Sequence, residues 1–260
     1  MTDLPTTVPA TITELLERKS VRKFEDRPVP DDVKARLLEC AFNAPTAGNQ
    51  QMYTILDICD QGIKDVLART CDHQPFIAEA PLVLVFLADS RRWLDAYVEA
   101  GAPTRAPGPA DLMLAVADAT IAAQNVVVAA HAYGLGSCYI GDIVEQREEV
   151  VEVLALDEYV FPAAMLVIGY PTAQQLRRPK PARFPYEFIV KTDRYARSTP
   201  DELRAAHAAR DGSDFDRAVQ AFCQRKYMSG FAAEMNRCVI DYLAPYLANP
   251  PTPQPTPRGM

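Results

Sequence analysis

Residues 111–142 read DLMLAVADATIAAQNVVVAAHAYGLGSCYIGD and contain the longest predicted helix together with the strand that follows it. Apolar residues lie almost all round the helix over 111–133, which predicts burial on most sides, inside a domain or in a dimer seam. Gly134 ends this helix, because glycine adopts the left-handed conformation at little steric cost. Residues 137–140 are predicted to form the strand that follows.

Outward from this stretch, helices and strands occur in mixed order. Branched and aromatic residues predict strands over 53–58, 82–87 and 163–169. Helices are predicted over 11–19, 30–41 and 145–154, and three more follow residue 185, around 202–209, 215–225 and 231–246. The order predicts one α+β domain over 11–190, a helical extension over 191–246 and a disordered, proline-rich tail over 247–260.

Composition and charge exclude several classes of function. The chain has 48% hydrophobic and 23% charged residues, which is typical of a folded globular protein. With a net charge of -7, the chain lacks the positive field that nonspecific nucleic-acid binding requires. Nucleic acid is therefore not an expected partner. The longest strictly apolar run, 80–88, is too short to cross a bilayer as a helix, and no membrane segment is expected.

The cysteines indicate a reducing environment. All six lack the CxxC and Cys/His spacings of metal sites, and they are too sparse for a disulfide scaffold, so neither a metal nor a disulfide is expected. The first residues show no basic region followed by an apolar one, as a signal peptide would. A cytoplasmic location is the simplest interpretation.

Two segments carry clustered cations in this acidic chain. The first, RKSVR at 18–22, follows a predicted helix and places guanidinium, ammonium and hydroxyl donors where they could converge on a phosphate. The second, RRPKPAR at 177–183, follows a strand and the turn GYP at 169–171. Read singly, each is about as consistent with a solvated basic turn or surface loop.

Two further segments carry polar or glycine-rich backbone. The turn PTAGNQQ at 45–51 presents backbone amides and two carboxamides, which suit the hydrogen-bonding edge of a ligand ring, although such a turn is more often just a helix terminus. The glycines of GLGSCYIGD at 134–142 let the backbone approach a flat ligand. This segment enters a strand from a helix, so it is not a dinucleotide-binding fingerprint.

Taken together and in this order, the four segments resemble the FMN-dependent nitroreductase family. The stretch QRKYMSGFAAEMNR at 224–237 is similar to the subgroup with a C-terminal helical extension that includes flavin reductases. The resemblance implies an α+β fold with a central, mainly antiparallel sheet flanked by helices. It also implies an intertwined homodimer that binds FMN at its interface, with the helix over 111–133 at the dimer core.

The same resemblance implies which residues contact FMN. Arg18, Ser20, Lys180 and Arg183 would lie near the phosphate, Lys19 would bind from the same side, and Arg22 would lie near the N1 and O2 edge of the ring. Pro45, Thr46, Ala47, Asn49 and Gln51 would form the pyrimidine-contacting turn, contributed by the partner subunit, and Tyr139, Ile140, Gly141 and Asp142 would lie beside N5. Asp142 stands where many relatives have glycine, so its carboxylate would line the pocket and repel anionic acceptors.

The implied reaction transfers hydride from NADPH or NADH through flavin N5 to a nitroaromatic, quinone or flavin acceptor by a ping-pong mechanism. No side chain is expected to be catalytic, and the isolated His73, His131 and His207 offer no rival site. Two alternatives remain open: the same fold with another acceptor, such as an enone or a halogenated aromatic, and a flavin-binding or sensing protein without turnover.

Overall fold

The structure is a computed structural model that describes residues 8–212 and 214–248. The helices are α1 Ala10–Glu17, α2 Asp31–Phe42, α3 Gln61–Thr70, α4 Arg91–Glu99, α5 Pro109–Ala132, α6 Arg147–Leu154, α7 Ala173–Arg177, α8 Tyr186–Ile189, α9 Pro200–Asp211, α10 Phe215–Lys226 and α11 Gly230–Ala248. The strands are β1 Tyr53–Asp57, β2 Leu82–Asp89, β3 Gly136–Ile140 and β4 Val160–Gly169. The α+β class is therefore confirmed.

Within the described ranges the strands form one sheet in the order β1-β2-β4-β3, and every neighbouring pair is antiparallel. The central strands alternate their side chains between two buried faces, as the two-residue period of a strand requires. Leu84 and Phe86 of β2 pack on α5 and α2, whereas Val83 and Val85 pack on the side of α3 and α6. The predicted antiparallel sheet flanked by helices is confirmed.

The long helix α5 packs against the sheet through small side chains. Ala119, Ala122 and Ala123 are fully buried, and their size lets the helix lie close to β2 and β4. By length and composition α5 is the one helix in the described part of the chain that could cross a membrane, and the core helix of a globular protein passes the same test. Its buried contacts with the sheet identify it as such a core helix.

Several boundaries differ from the sequence prediction for local reasons. Helix α5 begins two residues early, because Pro109 suits the first helical position and the Gly108 N–H donates to the Asp111 carboxylate at 2.7 Å. Helix α6 begins at Arg147 rather than residue 145, since Gln146 has a left-handed backbone with φ of 51°. Helix α3 was not predicted at all.

The described residues divide into two compact units, 8–177 with 235–248, and 178–234 without residue 213. The second unit contains α8, α9 and α10, and its ordered contacts include a bidentate ion pair between Arg204 and Asp216, with N–O distances of 3.1 and 3.0 Å. The predicted boundaries at residues 190 and 246 stay predictions. From residue 249 onward the predicted disordered tail lies outside the described residues.

Candidate functional site

The basic segment at 18–22 lies along the edge of β3. Ser20 forms a parallel bridge with Ser137, and the Val21 N–H donates to the Ser137 carbonyl at 2.9 Å. A glycine is needed opposite, because a Cβ built at Gly136 would lie 2.5 Å from Val21 Cγ2. The structure therefore brings together two segments that the sequence separates by more than a hundred residues, 18–22 and 134–142.

The next residues attach this segment to the strand end that carries GYP. The Glu25 N–H donates to the Tyr170 carbonyl at 2.8 Å, and the Lys19 Nζ donates to the Leu176 carbonyl at 2.7 Å. The Arg22 backbone N–H donates to Oε1 of Gln175, a residue that is itself buried. The side chain of Arg22 is exposed, so its guanidinium remains accessible from solvent.

Cationic groups act on the first residues of β3. Burial raises the pKa of the Cys138 thiol, while Arg22, Ser20 and Arg18 lower it. Burial also raises the pKa of Tyr139 to about 12, and its hydroxyl donates to Gln124 Oε1 at 3.3 Å. The Arg18 Nε is buried and has no hydrogen-bond partner among the described residues.

The turn at 46–51 is held in a strained conformation. Gly48, Asn49 and Gln51 all have left-handed backbones, with φ of 57°, 55° and 50°. For Asn49 and Gln51 this conformation costs free energy that the surroundings must offset. Asp118 of α5, 1% exposed, provides that support: its carboxylate accepts from the Ala47 N–H at 2.9 Å and from the Met52 N–H at 3.2 Å.

Helix α4 completes the support of the turn. The indole N–H of Trp93 donates to the Gln50 carbonyl at 2.8 Å, and Arg92 donates to the Gln51 carbonyl at 3.3 Å. The side-chain amides of Asn49 and Gln51 are exposed and form no hydrogen bond within the described part of the chain. Of the other predicted residues in this turn, Pro45 is exposed while Thr46 and Ala47 are half-buried.

The end of β3 forms a third part of the site. Ile140 is buried, and a Cβ built at Gly141 would meet nothing within 4 Å, so its backbone is open to a ligand. Asp142 is half-buried and accepts a hydrogen bond from the Gln74 amide. The residues before Gln74 are strained as well, since Asp72 and His73 have φ of 54° and 50°.

Lys180 and Arg183 lie in the second unit, on the exposed segment between α7 and α8. Their predicted place near a phosphate stays a prediction. Within residues 8–212 and 214–248, no group of three or more His, Cys, Asp or Glu side chains could hold a metal ion.

The basic segment and the turn lie at opposite corners of the sheet. Ser20 bridges Ser137, which pairs with Ile168 near the end of β4. The turn leads into Tyr53 of β1, which pairs with Ala88 of β2. Ala88 pairs in turn with Phe161, at the other end of β4. Along the strands the corners are seven residues apart, from Ile168 to Phe161, and across the sheet they are four strand spacings apart, from the basic segment to β1. Together these offsets correspond to a distance of roughly 30 Å. Within one chain, these two groups do not meet.

Some supporting residues could not be recognised from the sequence. Asp118 contacts the turn across 71 residues, and Gln74 contacts Asp142 across 68. The only signal for Asp118 is a carboxylate in an otherwise apolar helical stretch, where a buried charge needs partners. The resemblance implies that the loop around 74–77 lines the acceptor pocket, but it does not indicate that Gln74 contacts Asp142.

Comparison with known proteins matches this geometry to one family. The sequence model of the nitroreductase family matches residues 15–170. An NADPH-dependent oxidoreductase from Staphylococcus aureus (strain USA300) is 29% identical over 209 residues, which cover 80% of each chain. The structure of the NfrA1 nitroreductase from B. subtilis is 27% identical, with a TM-score of 0.73 and coverage of 86% of this chain and 98% of that one.

A third protein shares the fold. The NADPH:FMN oxidoreductase from Vibrio harveyi, in complex with NAD+, has a TM-score of 0.72 at 24% identity, with coverage of 92% of this chain and 98% of that one.

Proposed function

Because the chain belongs to the nitroreductase family and is an NAD(P)H-dependent oxidoreductase, we propose that it binds FMN and transfers hydride from NADPH or NADH to a small-molecule acceptor. The name of the S. aureus relative favours NADPH as the donor. The proposed acceptor is a nitroaromatic, a quinone or a flavin. An enone or a halogenated aromatic would suit the same fold.

The observation that carries the FMN proposal is the unpartnered Arg18 Nε beside the exposed Ser20 and Arg22. A buried N–H without an acceptor is costly, and a phosphate oxygen would supply the acceptor that is missing. We assign Arg18 and Ser20 to the phosphate, with Lys19 on the same side. The assignment of Lys180 and Arg183 to the phosphate rests on the resemblance alone.

The ring would lie between the open backbone at the end of β3 and the strained turn. Tyr139, Ile140 and Gly141 are proposed to lie beside N5, with Asp142 next to them. Arg22 would place positive charge at the N1 and O2 edge, where negative charge develops on reduction. The donors and acceptors present therefore fit FMN.

The pyrimidine edge is assigned to the turn of a second subunit. Pro45, Thr46, Ala47, Asn49 and Gln51 form this turn, and their separation of roughly 30 Å from the basic segment is too long for one ring system to contact both. A homodimer removes the conflict, since the turn of one subunit can complete the site of the other.

Exposed apolar side chains support this homodimer. On α1, Ile12, Leu15 and Leu16 are exposed, and on α5 the exposed side chains include Met113 and Leu114. These two helices contact each other, so the exposed side chains lie on neighbouring elements. Exposed apolar surface of this kind is typical of protein–protein contacts.

When bound, FMN supplies N5 as the hydride carrier, so no side chain of this chain needs to act as a nucleophile. The residues named above would hold and orient the ring, and the open backbone at Gly141 would leave space beside it. Donor and acceptor are proposed to use this space in turn, which gives ping-pong kinetics. A cytoplasmic location is also proposed, because all six cysteines, each within the described residues, are free thiols.

The experiment is to purify the protein, release any chromophore by heat and identify it, then add NADPH and NADH anaerobically to separate samples. Release of FMN, with bleaching by either nucleotide and recovery on adding a nitroarene or quinone, supports the proposal. A colourless protein that FMN does not reconstitute refutes it. A yellow protein that neither nucleotide bleaches would instead be a flavin-binding protein without turnover.

A further inference from the structure

Asp142 differs from the other residues proposed to surround the ring because it brings a negative charge. It follows β3 directly after Gly141, whose backbone is exposed and open. The cationic segment adjoins the opposite end of β3 at Ser137, five residues away, which is at most roughly 17 Å along the chain. The carboxylate therefore lies at the end of β3 that is farther from the bridge between Ser20 and Ser137.

The Asp142 carboxylate is held in place from a neighbouring connection. The Gln74 side-chain amide donates to its Oδ2 and also to the Cys71 carbonyl, the latter at 2.9 Å. The Gln74 backbone N–H donates in turn to the Ala68 carbonyl of α3 at 2.8 Å. Because Gln74 is fixed at both its backbone and its side chain, it orients the carboxylate rather than following it.

The charge of Asp142 is not neutralised by a neighbour. Across residues 8–212 and 214–248, no Lys, Arg or His nitrogen forms an ion pair with it. Its field extends into the surrounding protein, where burial first, and Asp142 second, raise the pKa of the Cys71 thiol to about 12. An oriented, uncompensated carboxylate in a half-buried position acts on any charged ligand nearby.

We propose that Asp142, oriented by Gln74, is a specificity-determining residue that disfavours anionic acceptors. This inference rests on the proposed function, because it places the acceptor beside the end of β3. The acceptor class that follows is neutral or cationic, such as quinones and uncharged nitroaromatics. An acceptor that carries a carboxylate or sulfonate on its ring would be repelled.

The size of the effect follows from Coulomb's law. For two charges about 6 Å apart, with an effective dielectric constant of about 40 for a half-buried site, the repulsion corresponds to roughly a tenfold change in affinity. Salt screens it in part, so the measurement belongs at low ionic strength.

The test uses the oxidised holoenzyme and two ligands of nearly the same shape, 4-nitrobenzoate and 4-nitrobenzamide, which differ by one negative charge. Dissociation constants are read from the change in the visible flavin spectrum with no nicotinamide present, so turnover does not enter. We expect Asp142→Asn to bind 4-nitrobenzoate on the order of tenfold more tightly than the wild type. Binding of 4-nitrobenzamide should change less than about twofold, since it carries no net charge.

Two further variants complete the experiment. Gln74→Met keeps the charge of Asp142 but removes its hydrogen bond, and we expect the discrimination between the ligands to fall part of the way. Glu79→Gln removes an exposed charge from the same connection and should leave the ratio unchanged. The inference is overturned if Asp142→Asn changes the dissociation constants of both ligands equally, or changes neither. It is also overturned if Glu79→Gln changes the ratio of the two constants as much as Asp142→Asn does.

FMN content separates this inference from the proposed function. If the wild type binds no FMN, the proposed function fails and this inference fails with it. If FMN is bound and the ratio of the two dissociation constants does not respond to Asp142→Asn, only the specificity role is wrong.

Discussion

Replacing Asp118 with alanine removes the group that holds both ends of the strained turn. The carboxylate accepts from the Ala47 and Met52 N–H groups, and Met52 is buried. In Asp118→Ala the Met52 N–H would stay buried without a partner, whereas the half-buried Ala47 can recover a water molecule. Asp118→Asn keeps the size of the side chain and one carbonyl acceptor. Its loss of unfolding free energy should therefore be about half that of Asp118→Ala.

The expected loss can be worked out from these two bonds. A buried N–H left without its acceptor costs about 1–3 kcal/mol, and a hydrogen bond to a charged group contributes about 1.5–3 kcal/mol. We therefore expect Asp118→Ala to lower the free energy of unfolding by about 2–4 kcal/mol and Asp118→Asn by about 1–2 kcal/mol. For a chain of this size the alanine variant would lower Tm by roughly 5–12 °C.

Urea unfolding of the FMN-free proteins at equal concentration measures these losses. Asp95→Asn is the matched control, because this carboxylate is exposed and forms an ion pair with Arg91 on the same helix at 2.7 Å. It should change the stability by less than about 1 kcal/mol. If both Asp118 variants stay within that range, the carboxylate does not support the turn and the reasoning is refuted.

Three other predictions concern different parts of the first unit. Gly136→Ala should destabilise the protein by about 1–3 kcal/mol through its clash with Val21, a loss that denaturant unfolding measures. Arg18→Ala should weaken FMN binding on the order of tenfold or more, read from the recovery of FMN fluorescence, with secondary structure unchanged. The hydrogen bond from Arg237 lowers the pKa of Glu148 to about 2, so its contribution is full above the unfolded value near 4.5 and is lost as pH falls through about 2. Both side chains are largely exposed, so Glu148→Gln should differ from the wild type by under about 1 kcal/mol at neutral pH, with the difference disappearing in acid unfolding curves.

The hydrophobic pattern of the sequence predicted the central strand β2 and the long helix α5, because both elements are largely buried. The strand β2 is apolar up to its last residue, Asp89, and α5 is apolar on most sides, so both patterns predict a buried element. Helix α3 was missed because its sequence, QGIKDVLART, begins with polar residues and glycine and includes a buried lysine. Lys64 donates to the Ala80 carbonyl at 3.1 Å, a contact that no local pattern can reveal.

The residues of the site were recognised by their order along the chain rather than by their contacts. A resemblance can mark Asn49 and Gln51 as a binding turn, but it cannot show that Asp118 holds that turn in place. The separation of the turn from the basic segment depends on the strand order, which periodicity does not determine. Long-range contacts of this kind follow only from the assembled sheet.

Subunit complementation tests the central claim, an FMN site built from two copies of the chain. One variant carries Arg18→Ala with Ser20→Ala, and the other carries Asn49→Ala with Gln51→Ala. Each homodimer should bind FMN weakly. In the first, both sites lack the side chains of the basic segment, and in the second, both sites lack the side chains of the turn. The two chains are produced together with different affinity tags, and the mixed dimer is isolated by both tags.

In the mixed dimer, one site combines two intact halves and the other combines two damaged halves. The measurement is the FMN bound per mixed dimer, determined from the flavin absorbance after heat release. The account predicts one FMN, held as tightly as in the wild type. A mixed dimer without tightly bound FMN would mean that each site is built within a single chain, which would contradict the account.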